Sequence, residues 1–202
     1  MKTYLNTILL FVIAIGLWHI ALHLHLAPQA TQAQATTQSN LKDNEELAQL
    51  YKEDQADRSP KDGKSIDWKV VAPRDKAREA RVKELYKTDQ LKTGADYYHV
   101  AMVLQHADAP EDSLLAHELC VVAISKGEKR GKWLAAASED RFLMRIGRPQ
   151  RFATQYRSDG LNSPMLLYKV DELVTDGLRH ELEVPSLAQA KEREAKMNEK
   201  KN

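Results

Sequence analysis

The chain has 202 residues, with 30 Lys and Arg against 29 Asp and Glu, so its formal net charge is only +1. This length suits one domain of ordinary size with extensions. Nucleic-acid-binding proteins neutralise phosphates with clustered cations, whereas the acidic and basic residues here are interleaved, so we expect no nucleic-acid partner. The single cysteine, Cys120, excludes an intrachain disulfide, and we expect it to lie in the core.

The N-terminal residues 1–27 predict export from the cytoplasm. Residues 8–26, ILLFVIAIGLWHIALHLHL, carry no formally charged side chain, and about 20 apolar residues are enough to cross a bilayer as a helix. Residues 1–27 are therefore either a signal peptide, for which Ala33 and Ala35 would suit the signal peptidase, or a retained membrane anchor. Residues 28–42, rich in Gln, Thr and Ala, predict a flexible linker. The chain is thus expected to be periplasmic, secreted or membrane-anchored, and the membrane is a partner only of a retained anchor.

Residues 43–185 predict an all-α domain, because apolar side chains recur there with a helical period. We expect a compact stack of about five to six antiparallel helices, similar to tetratricopeptide-like folds. The helix that follows Gly94, ADYYHVAMVLQHA, is apolar nearly all round and is therefore predicted to be central and buried. The other predicted helices cover 43–58, 73–90, 109–126 and 132–146.

A short β-hairpin is predicted after Gly147. RFATQY and MLLYKV are rich in aromatic and branched residues, and SDGLNSP between them is typical of a turn. Residues 186–202 then predict a charged C-terminal helix or tail, with Ser186 as its cap.

The stretch VLQHADAPEDSLLAHELC at 103–120 raises the question of a metal site. His99 and His106 are seven positions apart on one helix, or about 10.5 Å along its axis, so one zinc ion cannot bind both nitrogens at about 2.0–2.1 Å. His117 and Glu118 lack a second histidine four residues after the first. We therefore predict no metal and no cofactor.

Two other residues of this stretch have ordinary structural explanations. Asp108, followed by Pro110 and then Glu111, is predicted to be the N-cap of the next helix. His117 shares a helix side with Leu114, Val121 and Ile124, and we expect it to lie in the core and to bond a backbone carbonyl.

Ionisable residues on apolar helix faces are more informative. Asp140 shares its face with Trp133, Ala136, Ala137 and Met144, and a carboxylate buried there needs partners. Asp54 and Arg58 extend the apolar stripe formed by Leu47, Leu50 and Tyr51 in the same way. Two interpretations follow: an inter-helix ion network that fixes the register of the helices, or a polar cleft in which pKa values shift and ligands bind.

Four segments, EDQADR (53–58), VLQHAD (103–108), EDRFL (139–143) and GRPQRFATQY (147–156), occur in an order that resembles an uncharacterised family of bacterial exported helical domains. The resemblance covers roughly residues 45–190, and the family has no established activity. The positions it marks are Gln55, Arg58, Gln105, His106, Asp140, Arg141, Gln150, Thr154 and Gln155. One departure is Ala153, where the family usually has glycine, which argues against a turn with positive φ at that position.

Two functional hypotheses follow. The first is a binding or structural module with a buried polar cleft for a polar or anionic small molecule or peptide, formed by Asp54, Gln55, Arg58, Gln105, Arg141, Gln150, Thr154 and Gln155. The alternative is a hydrolase-like enzyme with His106 as general acid and base. In it Asp140 orients His106, and Arg141 or Gln155 holds an anion or a carbonyl oxygen.

Overall fold

The computed structural model describes residues 41–59, 65–160 and 163–199. Across these ranges it contains seven helices and a two-stranded hairpin: α1 (Glu45–Arg58), α2 (Trp68–Lys87), α3 (Gly94–Leu104), α4 (Pro110–Ser125), α5 (Gly131–Arg145), β1 (Tyr156–Arg157), β2 (Leu166–Leu167), α6 (Asp176–Glu181) and α7 (Leu187–Glu199). The predicted all-α fold with a short hairpin after Gly147 is confirmed. The predicted signal peptide or anchor at 1–27 lies outside the described residues. Within the ranges described, no helix is both long and apolar enough to span a bilayer.

Helix α2 begins at Trp68 and not at Pro73, where the sequence predicted its start. Asp67 caps the helix, because its Oδ1 accepts a hydrogen bond of 3.1 Å from the Lys69 N–H. Pro73 therefore lies inside the helix, where it has no N–H to donate to the Lys69 carbonyl. Lys69 is exposed to solvent, which lowers the cost of that lost hydrogen bond.

Helix α4 begins at Pro110, and the prediction that Asp108 caps it is wrong. Ala109 occupies the N-cap position and makes no side-chain capping bond, because a proline at the first helical position places the cap on the residue just before it. The Asp108 side chain is 85% exposed, and its Oδ2 lies 2.8 Å from Lys76 Nζ on α2. Asp108 thus links the loop before α4 to α2.

Helix α3 is buried at the centre of the helical core, as its apolar sequence predicted. Val100, Ala101 and Leu104 are fully buried, and the helix packs against α1, α2 and α4. Helix α4 in turn packs along α5. Cys120 on α4 is fully buried in this core, which confirms its predicted place.

The buried face of α4 is not the predicted one. Leu114 and Val121, which the sequence placed beside a core histidine, are exposed. The buried positions are instead mostly small residues such as Ala116 and Ala123, because small side chains allow neighbouring helices to approach closely. His117 is half-buried, and its Nδ1 lies 3.0 Å from a backbone carbonyl oxygen of α5, the kind of partner predicted for it.

The C-terminal part of the chain packs as short elements. Strands β1 and β2 pair antiparallel over two residues each, so the hairpin is shorter than predicted. Helix α6 has only six residues, too few for a helical period to show in the sequence. Helix α7 begins after Ser186, whose Oγ accepts a hydrogen bond of 3.3 Å from the Gln189 N–H, and it packs against β2.

Candidate functional site

Five charged side chains, of which Asp54 and Arg78 are buried, meet where α1 packs against α2. Arg58 donates from Nη1 to Asp54 Oδ1 and from Nη2 to Asp75 Oδ2, both at 2.8 Å. Arg78 donates from Nη2 to Asp75 Oδ1 at 2.6 Å and from Nη1 to Asp57 Oδ2 at 2.9 Å. These five residues are named the α1–α2 charge cluster.

The α1–α2 charge cluster has the geometry of the predicted register-fixing ion network. Each guanidinium joins a carboxylate of α1 to one of α2, so the cluster fixes the two helices against each other. Burial opposes ionisation of Asp75, but the guanidiniums of Arg78 and Arg58 outweigh it and hold the pKa of Asp75 below its usual value. Removing one partner of such a network leaves an uncompensated charge, which costs about 3–5 kcal/mol when the pair is buried.

Asp54 connects this cluster to the turn that ends α3. It is only 1% exposed, and its second oxygen, Oδ2, accepts a hydrogen bond of 2.7 Å from Gln55 Nε2. The same Oδ2 lies 3.6 Å from His106 Nε2, which is longer than a hydrogen bond. His106 follows Gln105, the C-cap of α3. The end of the central helix therefore places the His106 imidazole beside the Asp54 carboxylate of α1.

Burial favours the neutral form of the His106 imidazole. Burial lowers its pKa, and the nearby guanidiniums of Arg58 and Arg141 lower it further, while Asp54 acts in the opposite direction. Its Nε2 is buried and has no hydrogen-bond partner among the described residues. The side chain nevertheless keeps 23% of its surface exposed. A neutral, partly accessible imidazole can accept or donate one proton at its free nitrogens.

Arg141 lies beside His106 and differs from the arginines of the charge cluster. Its Nη1 donates to the backbone oxygen and to Oε1 of Gln105, at 2.8 and 2.9 Å. No carboxylate in the described part of the chain lies within ion-pair distance of it. Burial lowers its pKa to about 10, and the positive charges of Arg145 and Arg58 contribute to the decrease.

Arg145, one turn further along α5, adds a second cation of the same kind. Its Nη1 donates to Ser113 Oγ at 2.8 Å and to the Ala109 oxygen at 3.3 Å. Burial lowers its pKa, although Asp108 and other acidic neighbours oppose this. Arg141 and Arg145, with the His106 imidazole beside Arg141, form a positively charged corner that we call the cationic corner.

Asp140, next to Arg141 in sequence, belongs to a different group of residues. Its Oδ1 accepts hydrogen bonds from the Arg151 and Phe152 N–H groups at 2.6 and 2.8 Å. Its Oδ2 accepts from the N–H and the hydroxyl of Thr154, at 2.9 and 2.8 Å. Burial raises the pKa of Asp140, and these hydrogen bonds oppose the increase. All its acceptor capacity is therefore directed at the loop after α5.

Gln150 and Gln155 complete this loop. The Gln150 side chain donates to the backbone oxygens of Gln155 and Tyr168, at 2.9 and 2.8 Å, and its Oε1 accepts from the Gln155 N–H at 2.8 Å. The Gln150 side-chain amide thus both donates and accepts hydrogen bonds, as a backbone peptide group does, and links the loop to the hairpin. Gln155 Nε2 donates back to the Ala137 oxygen of α5 at 3.2 Å.

Ala153, in the middle of this loop, has φ of +64°. The expectation that Ala153 argues against a positive-φ turn is therefore wrong. A non-glycine residue in this region costs roughly 1–2 kcal/mol, and the hydrogen bonds from its neighbours to Asp140 offset that strain.

The predicted site residues thus separate into two groups. Asp54, Gln55, Arg58, Gln105, His106 and Arg141 lie together around the end of α3, whereas Asp140, Gln150, Thr154 and Gln155 lie around the loop after α5. Among the hydrogen bonds and ion pairs of the described ranges, none joins His106 to Asp140. The carboxylate next to His106 is that of Asp54.

Three residues of the charge cluster were not among the predicted site residues: Asp75 and Arg78 on α2, and Asp57 on α1. A signal for Arg78 existed, because it shares a stripe with the buried Val82 and Leu85 in the same way that Asp54 extends the stripe of α1. Asp75, three residues earlier, is then its nearest acidic neighbour on the helix.

Comparison of the chain with protein-family models, with curated proteins and with solved structures gave no match in any of the three. In the described ranges, no group of three or more His, Cys, Asp and Glu side chains is arranged to hold a metal ion.

Proposed function

We propose that the helical domain is a binding module that holds the anionic group of a small molecule or peptide at the cationic corner. One observation carries this proposal. Among the residues that the structure describes, Arg141 donates only to Gln105, whereas Arg58 and Arg78 each bind carboxylates on two sides. The Nε and Nη2 groups of Arg141 are therefore available to a ligand.

The electrostatics of the corner favour an anion over a neutral ligand. Burial and the neighbouring cations Arg145 and Arg58 penalise the charge of Arg141, and a bound anion would relieve that penalty. A carboxylate or a phosphate also matches the planar guanidinium, which can donate two parallel hydrogen bonds to it. His106 would add a third contact from its accessible edge.

Isothermal titration calorimetry of the full-length chain tests this proposal, with phosphate and acetate as anions and acetamide as the neutral control. The anions should bind and acetamide should not. Arg141→Gln should weaken anion binding at least tenfold, because hydrogen bonds to charged groups contribute about 1.5–3 kcal/mol. The matched control is Arg148→Gln, which removes an exposed arginine just after α5. Equal affinity in the Arg141→Gln and Arg148→Gln variants would contradict the proposal.

A second candidate function is a hydrolase-like activity with His106 as general acid and base. The observation that favours it is the approach of His106 Nε2 to the buried Asp54, 3.6 Å apart. A carboxylate on one nitrogen of a neutral imidazole can fix the tautomer and orient the ring. In this version Asp54 has the orienting role first given to Asp140, and Arg141 holds the substrate anion.

A panel of phosphate, carboxylic ester and amide substrates would test the hydrolase. His106→Gln should abolish turnover and keep Arg141-dependent anion binding, since glutamine can still donate a hydrogen bond. Turnover that survives this substitution would refute the catalytic role of His106. Absence of turnover across the panel would favour the binding module.

We further propose that the domain functions outside the cytoplasm, either tethered to a membrane or released. The support for this is the uncharged apolar stretch at 8–26 and the Gln- and Thr-rich residues that follow it. The mass of the mature protein and its extraction with alkaline carbonate would distinguish the two forms. A full-length chain found in the soluble cytoplasmic fraction would contradict both.

A further inference from the structure

A pocket of about 270 Å³ lies beside helix α7 and is formed by a different part of the domain from the cationic corner. Its lining includes Trp133 at the start of α5, Ala153 and Tyr156 from the loop and β1, and Ala190 and Arg193 from α7. We call it the α7 pocket. None of its residues belongs to the cationic corner, so the anion binding proposed there does not account for this pocket.

The α7 pocket has two aromatic residues in its walls. Trp133 is 40% exposed although it lies on a helix that packs into the core. Tyr156 is half-buried, and its hydroxyl donates to the Ala190 oxygen at 3.0 Å. Because that hydrogen bond occupies the hydroxyl, the tyrosine offers the pocket mainly its apolar ring. Two aromatic side chains in one small pocket favour a flat apolar ligand.

A cation, Arg193, also lines the pocket. The Arg193 guanidinium lies over the Tyr156 ring, 5.7 Å from its centroid. No carboxylate of the ranges described forms an ion pair with Arg193, whereas Glu192, which also lines the pocket, is paired with Lys196 at 2.6 Å. The charge at the edge of the pocket is therefore complementary to an anionic group.

The wall at Ala153 and Thr154 is fixed before any ligand arrives. Asp140 accepts hydrogen bonds from the N–H groups of Phe152 and Thr154 on both sides of Ala153. The opposite wall, α7, is held by Tyr156 and by two hydrogen bonds between Asn198 and the backbone of Met165. A preformed pocket loses less conformational entropy on binding than a pocket that must first assemble.

We infer that the α7 pocket binds a small monocarboxylate with a flat apolar body. The ring would lie against Trp133 and Tyr156, and the carboxylate would reach Arg193. The size agrees, since a cavity of about 150 Å³ holds one benzene molecule and the remaining volume of the pocket accommodates a short carboxylate arm. This inference does not depend on the function proposed for the cationic corner.

Calorimetry of the full-length chain with 3-phenylpropionate and its neutral isostere 3-phenylpropanamide tests the inference. The acid should bind more tightly than the amide. Trp133→Ala should weaken binding of both at least tenfold, because it removes one aromatic wall. Arg193→Gln should weaken binding of the acid about fivefold and leave the amide unchanged, as expected for an ion pair at an exposed guanidinium.

Three control variants isolate the pocket. Trp68→Ala removes an exposed tryptophan of α2, and Lys191→Gln removes a cation of α7 that does not line the pocket. Arg141→Gln removes the central cation of the proposed anion site. All three should keep the wild-type affinity of the Trp133-dependent site for 3-phenylpropionate, and Arg141→Gln should remove only the additional, Trp133-independent binding of a carboxylate at the cationic corner. The last result would separate this pocket from the cationic corner, whichever way the test of that site turns out.

Several results would overturn the inference. These are no saturable binding of the acid up to about 10 mM, equal affinity for acid and amide, or unchanged binding in Trp133→Ala. Hydrogen exchange of the wild-type protein gives a second test that needs no variant. Saturating 3-phenylpropionate should slow amide exchange at residues 187–193, and unchanged exchange there would also overturn the inference.

Discussion

Replacing Asp140 by Asn is expected to lower the free energy of unfolding by about 3–4 kcal/mol. The carboxylate accepts four hydrogen bonds, two at each oxygen. An amide of the same shape keeps one oxygen for the Arg151 and Phe152 N–H groups but turns an NH₂ group toward the Thr154 N–H. Hydrogen bonds to a charged acceptor contribute about 1.5–3 kcal/mol each. The Thr154 hydroxyl can rotate to accept, which limits the loss.

Urea unfolding followed by far-UV circular dichroism gives this free energy, provided that the denaturant dependence is the same in the wild type and the variants. The double-mutant cycle with Thr154→Val should give a coupling energy of about 1–3 kcal/mol between Asp140 and Thr154. Calorimetry should show that Asp140→Asn binds anions as the wild type does, because Asp140 faces the loop and Arg141 faces Gln105.

Two results would refute this reasoning. One is a loss of stability below about 1 kcal/mol, since four hydrogen bonds to a buried carboxylate cannot be replaced so easily. The other is an unchanged free energy of unfolding together with lost anion binding. That second result would return Asp140 to the role beside His106 that the sequence first suggested.

The remaining predictions concern other parts of the molecule. Asp54→Ala should lower the free energy of unfolding by about 3 kcal/mol in the same urea assay, because Arg58 then lacks its α1 partner. Anion affinity should rise as pH falls from about 7.5 to about 5. Burial lowers the pKa of His106 in the free protein, and a bound anion raises it, so protonation of His106 strengthens binding. Calorimetry at several pH values should show this rise in the wild type and a flat profile in His106→Gln. Ala153→Gly should raise stability by about 0.5 kcal/mol and Ala153→Val should lower it, because φ is +64° there. The Cys120 thiol, whose pKa burial raises to about 12, should react with a thiol reagent only after unfolding.

Helical periodicity identified two of the four buried acidic residues in the described ranges. Asp54 and Asp140 were predicted to be buried because each falls on an apolar stripe, and both are at most 1% exposed. The period of 3.6 residues fixes which side chains of one helix share a face. It therefore also gave the pair of Asp54 and Arg58, which lie one turn apart on α1.

Helical periodicity did not predict which residues of other helices or loops contact the buried acids. Asp54 meets His106, and Asp140 meets the loop at 151–154, and no pattern within one helix specifies which neighbour lies opposite. Asp75 was missed for the same reason, because its importance comes from Arg58 on another helix. The match of a buried acid to its donors is decided by tertiary packing.

The amino-acid sequence of α4 does not show which face of the helix is buried. Apolar residues occur around most of that helix, and the exposed Val121 is larger than the buried Ala116. Packing against α5 selected the side with small residues, since close helix approach excludes bulky ones. A prediction based on hydrophobicity alone therefore chose the wrong side for Leu114 and Val121.

Asp140 and Arg141 are consecutive residues of α5, yet one binds the loop after the helix and the other binds Gln105. Successive residues of a helix point about 100° apart, so these two directions are set by a single register. Inserting or deleting one residue between Gly131 and Asp140 would turn both side chains away from their partners at once. The length of this segment is therefore constrained more tightly than the identity of most of its residues.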